Sequence, residues 1–278
     1  MERIERALEV ARLHRHRLEE TVQPVSPVAP PAPSFAEPLT GERVAPRLED
    51  APLAELPARD ILRERYVVFP DEPGAATLAY KMLRTQVLQR ARQHGMRTIG
   101  VVSAASGEGK TLTAINLALS LAAEPNQSVV LVDLDLKHPS VAATLGLPAQ
   151  AGLESYFSGA AALESLWCRY AEFERLVIAP TMAPLPGSSE LLAGAGAAEL
   201  MRCLRALRTD PLILIDLPPV LLSDDVLAIA QLLDGVVLVV TEEQTRREDI
   251  QRVFELLRST PVIGTVLNAS AEAEARTY

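Results

Sequence analysis

A chain of 278 residues, 48% apolar and 23% charged, can bury the core of one large α/β domain and still carry extra segments. Its net charge is −9 and unevenly placed: residues 1–95 hold 14 basic and 14 acidic side chains, leaving 13 and 22 for residues 96–278. That acidic block excludes a broad basic footprint for nucleic acid, no apolar run approaches the roughly 18 residues of a spanning helix, and the charged opening MERIERALEVARLHRHRLEE is not a secretory signal, so a cytoplasmic protein with no membrane span of its own is expected.

Residues 1–20 place Ile4, Leu8, Ala11 and Leu18 at helical spacing among charges. The stripe is narrow, which fits a short amphipathic helix, either solvated and frayed or docked on a partner or membrane surface. Residues 21–57 are crowded with proline and lack periodicity. Proline removes backbone donors and fixes φ, so an extended, disordered linker is expected. A domain over residues 58–268 follows, then a flexible tail over 269–278. A helix over 75–93 leads into the domain, with Leu78, Met82, Val87 and Leu88 read as one apolar face.

The stretch RTIGVVSAA reads as a strand, and LTAINLALSLAA as a strongly apolar helix. SVVLVDLDL, LILIDLPPV and GVVLVVTEE are continuous apolar runs, the mark of strands buried on both faces, and PVIGTVLN adds another. Helical stretches such as SSELLAGAGAAELMRCLRALR and RREDIQRVFELLRST lie between them. Strands alternating with helices imply a doubly wound, mostly parallel sheet with helices on both faces. Ligands bind beyond the strand C-termini of such sheets. Cys168 and Cys203 have no metal-ligand or redox spacing and are expected as reduced packing residues.

The strand-to-helix turn SAASGEGKT, residues 103–111, carries the sharpest motif. It differs from G-x-x-x-x-G-K-[ST] only in Ala104 at the first glycine, where a small residue suffices. Gly107 and Gly109 let the backbone approach phosphate. The N–H groups of Ser106, Gly107, Glu108, Gly109, Lys110, Thr111 and Leu112 can face the anion. Lys110 can reach the β and γ phosphates, and the Thr111 hydroxyl can hold Mg²⁺. The fold class is therefore a P-loop NTPase.

Acidic partners follow. Asp133 and Asp135 close one buried strand, and Asp216 closes another. An aspartate there can also cap a helix or shape a turn, but three behind a P-loop form the constellation that Mg–nucleotide chemistry needs. Asp216 is the expected Walker B residue. Of Asp133 and Asp135, one can assist the metal while the other accepts a proton, which suits transfer to a hydroxyl as well as hydrolysis.

In order, SAASGEGKT, VVLVDLDLKHPSV and ILIDLPPV resemble the Walker A, A′ and B motifs of bacterial protein-tyrosine kinases. The resemblance covers roughly residues 75–268. MERIERALEVAR is also similar to the N-terminal helix of free-standing members in exosortase-linked polysaccharide loci. The resemblance implies an ATP- and Mg²⁺-dependent tyrosine autokinase of capsule or exopolysaccharide assembly. Lys110 and Thr111 would bind ATP–Mg²⁺, Asp133 and Asp135 would serve metal and tyrosine activation, and Asp216 would complete the metal site. Asn268 would sit near the adenine. It further implies a homo-oligomeric ring and a transmembrane chain-length or co-polymerase subunit as activator, which would hold the protein at the inner face of the cell membrane.

The chain departs from that pattern in places. Ser106 replaces the usual proline, and Lys137-His138 replaces an arginine-rich run. The ring-forming E-x-x-R-x-x-R is reduced to a stretch over 78–84 that keeps Lys81 and Arg84. No tyrosine cluster ends the chain, and Tyr278 is the one tail candidate as phosphoacceptor. Among the other tyrosines, Tyr66 and Tyr80 are expected to be more reachable than Tyr156 and Tyr170. Two other readings stand beside the kinase. One is a weakly catalytic ATP-binding scaffold. The other is a partition-type ATPase, against which Ala105 stands at the signature-lysine position.

Overall fold

A computed structural model describes residues 51–148 and 150–270. The N-terminal helix expectation, most of the linker and residues 271–278 with Tyr278 lie outside the described residues. Within the proline-rich stretch, however, Leu53–Ala54 forms a short strand, β1. Its two residues pair in parallel with Arg169–Tyr170, so ordered chain begins ahead of residue 58. Two residues are enough because Arg169 also donates, through its backbone N–H and its Nε, to the carbonyls of Pro52 and Ala51.

Next come α1 (Arg59–Glu64) and α2 (Ala75–His94). Gly95 ends α2 in the left-handed region at φ 63°, the usual use of a glycine after a helix. Then β2 (Thr98–Ser103) runs into the Gly-rich turn, and α3 (Lys110–Ala122) leaves it. Then follow β3 (Val129–Asp133), α4 (Val141–Leu145), α5 (Leu153–Phe157), β4 (Arg169–Tyr170) and β5 (Leu176–Ala179). The chain continues with α6 (Ser188–Ala193), α7 (Ala195–Arg205), β6 (Leu212–Asp216) and α8 (Asp225–Ile229). It closes with β7 (Gly235–Thr241), α9 (Arg247–Leu256) and β8 (Val262–Asn268).

Six strands form one all-parallel sheet in the order β5-β3-β6-β2-β7-β8. Every residue of β2, β3, β5, β6 and β7 is buried, as their unbroken apolar runs require. Two hydrophobic clusters cover the two faces. One gathers α7 side chains such as Leu200 and Leu204 with Val130 and Ile213. The other gathers α3 side chains such as Ile115 and Leu119 with Leu131 and Leu214. The predicted doubly wound architecture is the one observed.

The apolar face read on α2 is corrected. Val87 and Leu88 are buried, but Leu78 and Met82 are 60% and 57% exposed. At about 100° per residue, the nine positions from 78 to 87 span half a turn beyond two full ones, so the two pairs cannot share a face. α3 differs because it is buried along almost its whole length. Asn116 on α3 binds the segment ahead of α2, donating to the carbonyl of Tyr66 and accepting from the N–H of Val68.

These environments set opposite mutational costs. Leu117→Ala should destabilise the protein by about 2–5 kcal/mol through a cavity, whereas Met82→Ala should stay within about 0.5 kcal/mol in the monomer. Urea unfolding of the two variants checks the contrast.

Candidate functional site

The Gly-rich turn sits at the C-terminal end of β2, flanked by β6 and β7. Gly107 and Gly109 have φ of 81° and 83°, a region that side chains rarely adopt. A Cβ on Gly109 would also lie 2.1 Å from Asn268 Nδ2. Glycine is required there twice over, by backbone conformation and by the close approach of β8. Ala104 is fully buried beneath the turn, so the absent first glycine is a packing position filled by a methyl group.

Glu108 has a part that its place in the motif did not foretell. Its side chain is buried, accepting from the Ala105 N–H at 2.8 Å and from the Thr245 hydroxyl. Its carbonyl accepts from Thr241 Oγ1 and from Asn268 Nδ2, at 3.2 and 3.0 Å. The end of β7, the loop after it and the end of β8 therefore grip the turn at three points. Asn268, expected near a base, reaches the phosphate loop itself.

Below the turn lies an ionic cluster. Lys110 Nζ is 2.6 Å from Asp135 Oδ2 and 3.6 Å from Asp216 Oδ1. The Thr111 hydroxyl donates to Asp216 Oδ2 at 2.6 Å and accepts from Ser140 Oγ at 3.2 Å. Asp133 and Asp216 face each other in register across β3 and β6. Their surroundings differ. Asp133 is saturated by backbone: its Oδ2 accepts from the N–H groups of Ser140 and Val141, and its Oδ1 from that of Asp135. Asp135 lies just past the strand and lines the cavity. Asp216 Oδ1, fully buried, has no hydrogen-bond partner.

Burial, followed by the charge of Asp216, pushes the Asp133 carboxyl well above the usual range. Burial likewise lifts Asp216 to about 6, although Lys110 and Thr111 pull it down. Burial disfavours the Lys110 ammonium, but Asp216 and Asp135 outweigh it and raise that group. One cation among three carboxylates leaves the cluster short of positive charge.

The cavity above the cluster measures about 510 Å³. Gly107, Gly109, Lys110, Thr111, Leu112 and Asp135 line it. Asp133 and Asp216 are fully buried and do not line it. Arg65, Ser140, Leu222 and Ser223 also line it and were not anticipated. Arg65 lies 45 positions before Lys110 and belongs to no motif, so only the fold could bring it there. Ser140 lies within the Walker A′-like run and could have been read from it.

The sequence profile of the CobQ/CobB/MinD/ParA nucleotide-binding domain matches residues 99–277. The kinase domain of VpsO superposes with a TM-score of 0.62 at 30% identity, over 70% of this chain and 95% of that one. The chain belongs to the CobQ/CobB/MinD/ParA nucleotide-binding family, on its bacterial tyrosine-kinase branch. The tyrosine-protein kinase YwqD of Bacillus subtilis is 28% identical over 209 residues, covering 74% of this chain and 86% of that protein. The kinase domain of Escherichia coli ETK superposes with a TM-score of 0.64 at 20% identity, over 81% and 91% of the two chains, and supports the fold.

The other tyrosines separate clearly. Tyr66 is 76% exposed. Tyr80, expected to be reachable, is half-buried and its phenol is hydrogen-bonded to Asn116 and Thr113, which corrects that expectation. Tyr156 and Tyr170 donate to the carbonyls of Gly196 and Leu145.

Two outcomes follow from the cluster. In the nucleotide-free protein Asp216 keeps its proton up to about pH 6, against 3.8 in the unfolded chain. The native state then binds that proton more tightly, so stability falls as pH rises through this window. Thermal unfolding from about pH 4 to about pH 6 should show a shallower fall for Asp216→Asn than for the wild type. Glu108→Ala leaves the Ala105 N–H and Thr245 without their buried acceptor and should cost about 1–3 kcal/mol, read by urea unfolding.

Proposed function

We propose that the protein is an ATP-dependent tyrosine autokinase that regulates capsule or exopolysaccharide polymerisation and export. The observation that carries this reading is Asp135, a carboxylate on the cavity wall 2.6 Å from the P-loop lysine. A nucleotide switch needs the lysine and the metal-side carboxylate; a second carboxylate facing the cavity suits an enzyme that must also receive a proton.

The backbone from Ser106 to Leu112 cradles the phosphates, and Lys110 neutralises them. Entry of a triphosphate offers Lys110 stronger anionic partners than Asp135, so the ion pair opens and Asp135 is released. The freed Asp135 takes the proton of the acceptor phenol. The phenol oxygen then forms its bond to the γ-phosphorus as the bond to the bridging oxygen breaks, and ADP carries that electron pair away. Asn268 holds the turn in place through the Glu108 carbonyl and borders the base.

The residues present fit Mg²⁺. Asp216 Oδ1 is buried with no hydrogen-bond partner, and the Thr111 hydroxyl lies against the same carboxylate. No group of three or more His, Cys, Asp or Glu side chains forms a metal cage among the described residues. That suits Mg²⁺, which is held by one or two protein groups together with phosphates and water. Thr111 and Asp216 would hold it, with Asp133 behind them. When bound, it supplies positive charge to the transferring phosphoryl group.

Tyr278 is the proposed acceptor, presented by a neighbouring copy. The exposed Leu78 and Met82 on α2 support a homo-oligomer. No described helix is long and apolar enough to cross a membrane. A transmembrane chain-length or co-polymerase subunit as activator would hold this cytoplasmic protein at the inner membrane face.

Incubation with ATP and Mg²⁺ should place phosphate on Tyr278, and Lys110→Met should abolish it. Peptide mass spectrometry checks this, with and without the candidate membrane subunit. Nucleotide binding without phosphotyrosine in either condition would sink the kinase in favour of a scaffold.

A further inference from the structure

Beyond the catalytic cluster, the cavity lining combines two kinds of side chain. Arg65, Lys137 and His138 line it and are exposed. Pro218 and Pro219, both buried, and Leu222, 64% exposed, add apolar surface. A basic rim on a chain of net charge −9 is a local exception.

Lys137 is fixed in place. Its Nζ donates to Ser223 Oγ at 2.9 Å and to Asp225 Oδ1 at 3.1 Å. The Asp225 side chain is completely buried, and its Oδ2 has no hydrogen-bond partner. Burying a carboxylate is costly unless it is paired, and Lys137 is the cation that pairs with it. The neighbouring Asp224 carboxyl is hydrogen-bonded to Ser189. Arg65 is anchored on α4, where its Nη1 donates to the carbonyls of Ala143 and Thr144. Neither cation takes part in the contacts among Lys110, Thr111, Asp133, Asp135 and Asp216.

We propose that this mouth selects its protein substrate: Arg65 and Lys137 read carboxylates flanking the acceptor tyrosine, and Leu222 with Pro219 seats the phenol ring. The preferred substrate is a peptide with Asp or Glu within about three residues of tyrosine, a span of about 10 Å of extended chain. Asp225 is a positioning residue that acts through Lys137. The inference rests on the kinase reading and adds its substrate class. By this rule Tyr278 is a modest acceptor, since Arg276 stands two positions before it and Glu274 four.

The test compares synthetic peptides with one tyrosine flanked by glutamates against their glutamine counterparts, together with residues 269–278 and the same peptide carrying Arg276→Glu. Phosphotyrosine formation gives KM and kcat. Fluorescence anisotropy with a non-hydrolysable ATP analogue gives binding without turnover. The glutamate peptide should show a KM lower by about 1.5- to fivefold for each carboxylate that is read, and the difference should shrink as salt rises past about 0.1 M. Arg276→Glu should lower the KM of the tail peptide.

Lys137→Gln, Arg65→Gln and Asp225→Asn should each erode the preference through peptide KM more than through the KM for ATP, while Lys137→Arg should retain it. Equal KM for the acidic and neutral peptides, or a preference that survives Arg65→Gln and Lys137→Gln together, overturns the proposal. If no peptide is phosphorylated, phosphotyrosine on the full chain still decides the kinase reading, and equal anisotropy for the acidic and neutral peptides overturns the proposal.

Discussion

The site is built around one lysine serving three buried carboxylates. Lys110 lies between Asp135 and Asp216, with Asp133 pressed against Asp216 by strand register. Separated, each acid would be an expensive buried charge. Together they make a local deficit of positive charge that the fold tolerates because backbone N–H groups saturate Asp133 and a hydroxyl reaches Asp216. Much else follows from this arrangement. The buried strands hold the acids at one edge, α3 delivers the lysine from its first turn, and the cavity opens where another cation and a polyanion would relieve the imbalance.

The turn above this cluster is held from the far side of the sheet. Its two left-handed glycines do not fix the loop alone. Glu108 turns its carboxylate inward to the Ala105 N–H and Thr245, while its carbonyl takes donors from Thr241 and Asn268. The Gly-rich turn, the end of β7 with Thr245 after it, and the end of β8 are thus one hydrogen-bonded unit.

Sequence reasoning found what local chemistry specifies. Gly107, Gly109, Lys110 and Thr111 have requirements expressed within one turn, and β2, β3, β6 and β7 announce themselves as unbroken apolar runs. It missed what depends on distant chain. Glu108 looks like a spacer until Thr245 is brought to it across 137 positions. Arg65 reaches the cavity where Asn116 ties the residues just after it to α3 and its own guanidinium bonds the carbonyls of Ala143 and Thr144. Leu78 and Met82 escape the buried face for another reason: over more than two turns, helical phase and not apolar identity decides which side chains meet the core. The strand at Leu53–Ala54 is too short for any periodicity to reveal, and proline-rich surroundings conceal it.

The contact between Gly109 and Asn268 has a consequence for biosynthesis. The phosphate loop is made early in the chain, but the amide that packs on it belongs to β8, more than 150 residues later. A ribosome therefore releases the loop long before its last support exists. Until β8 has docked on β7, the Glu108 carbonyl lacks one of its two donors and the turn is free to sample other shapes. The turn in its described shape is therefore a property of the docked sheet and not of the motif alone.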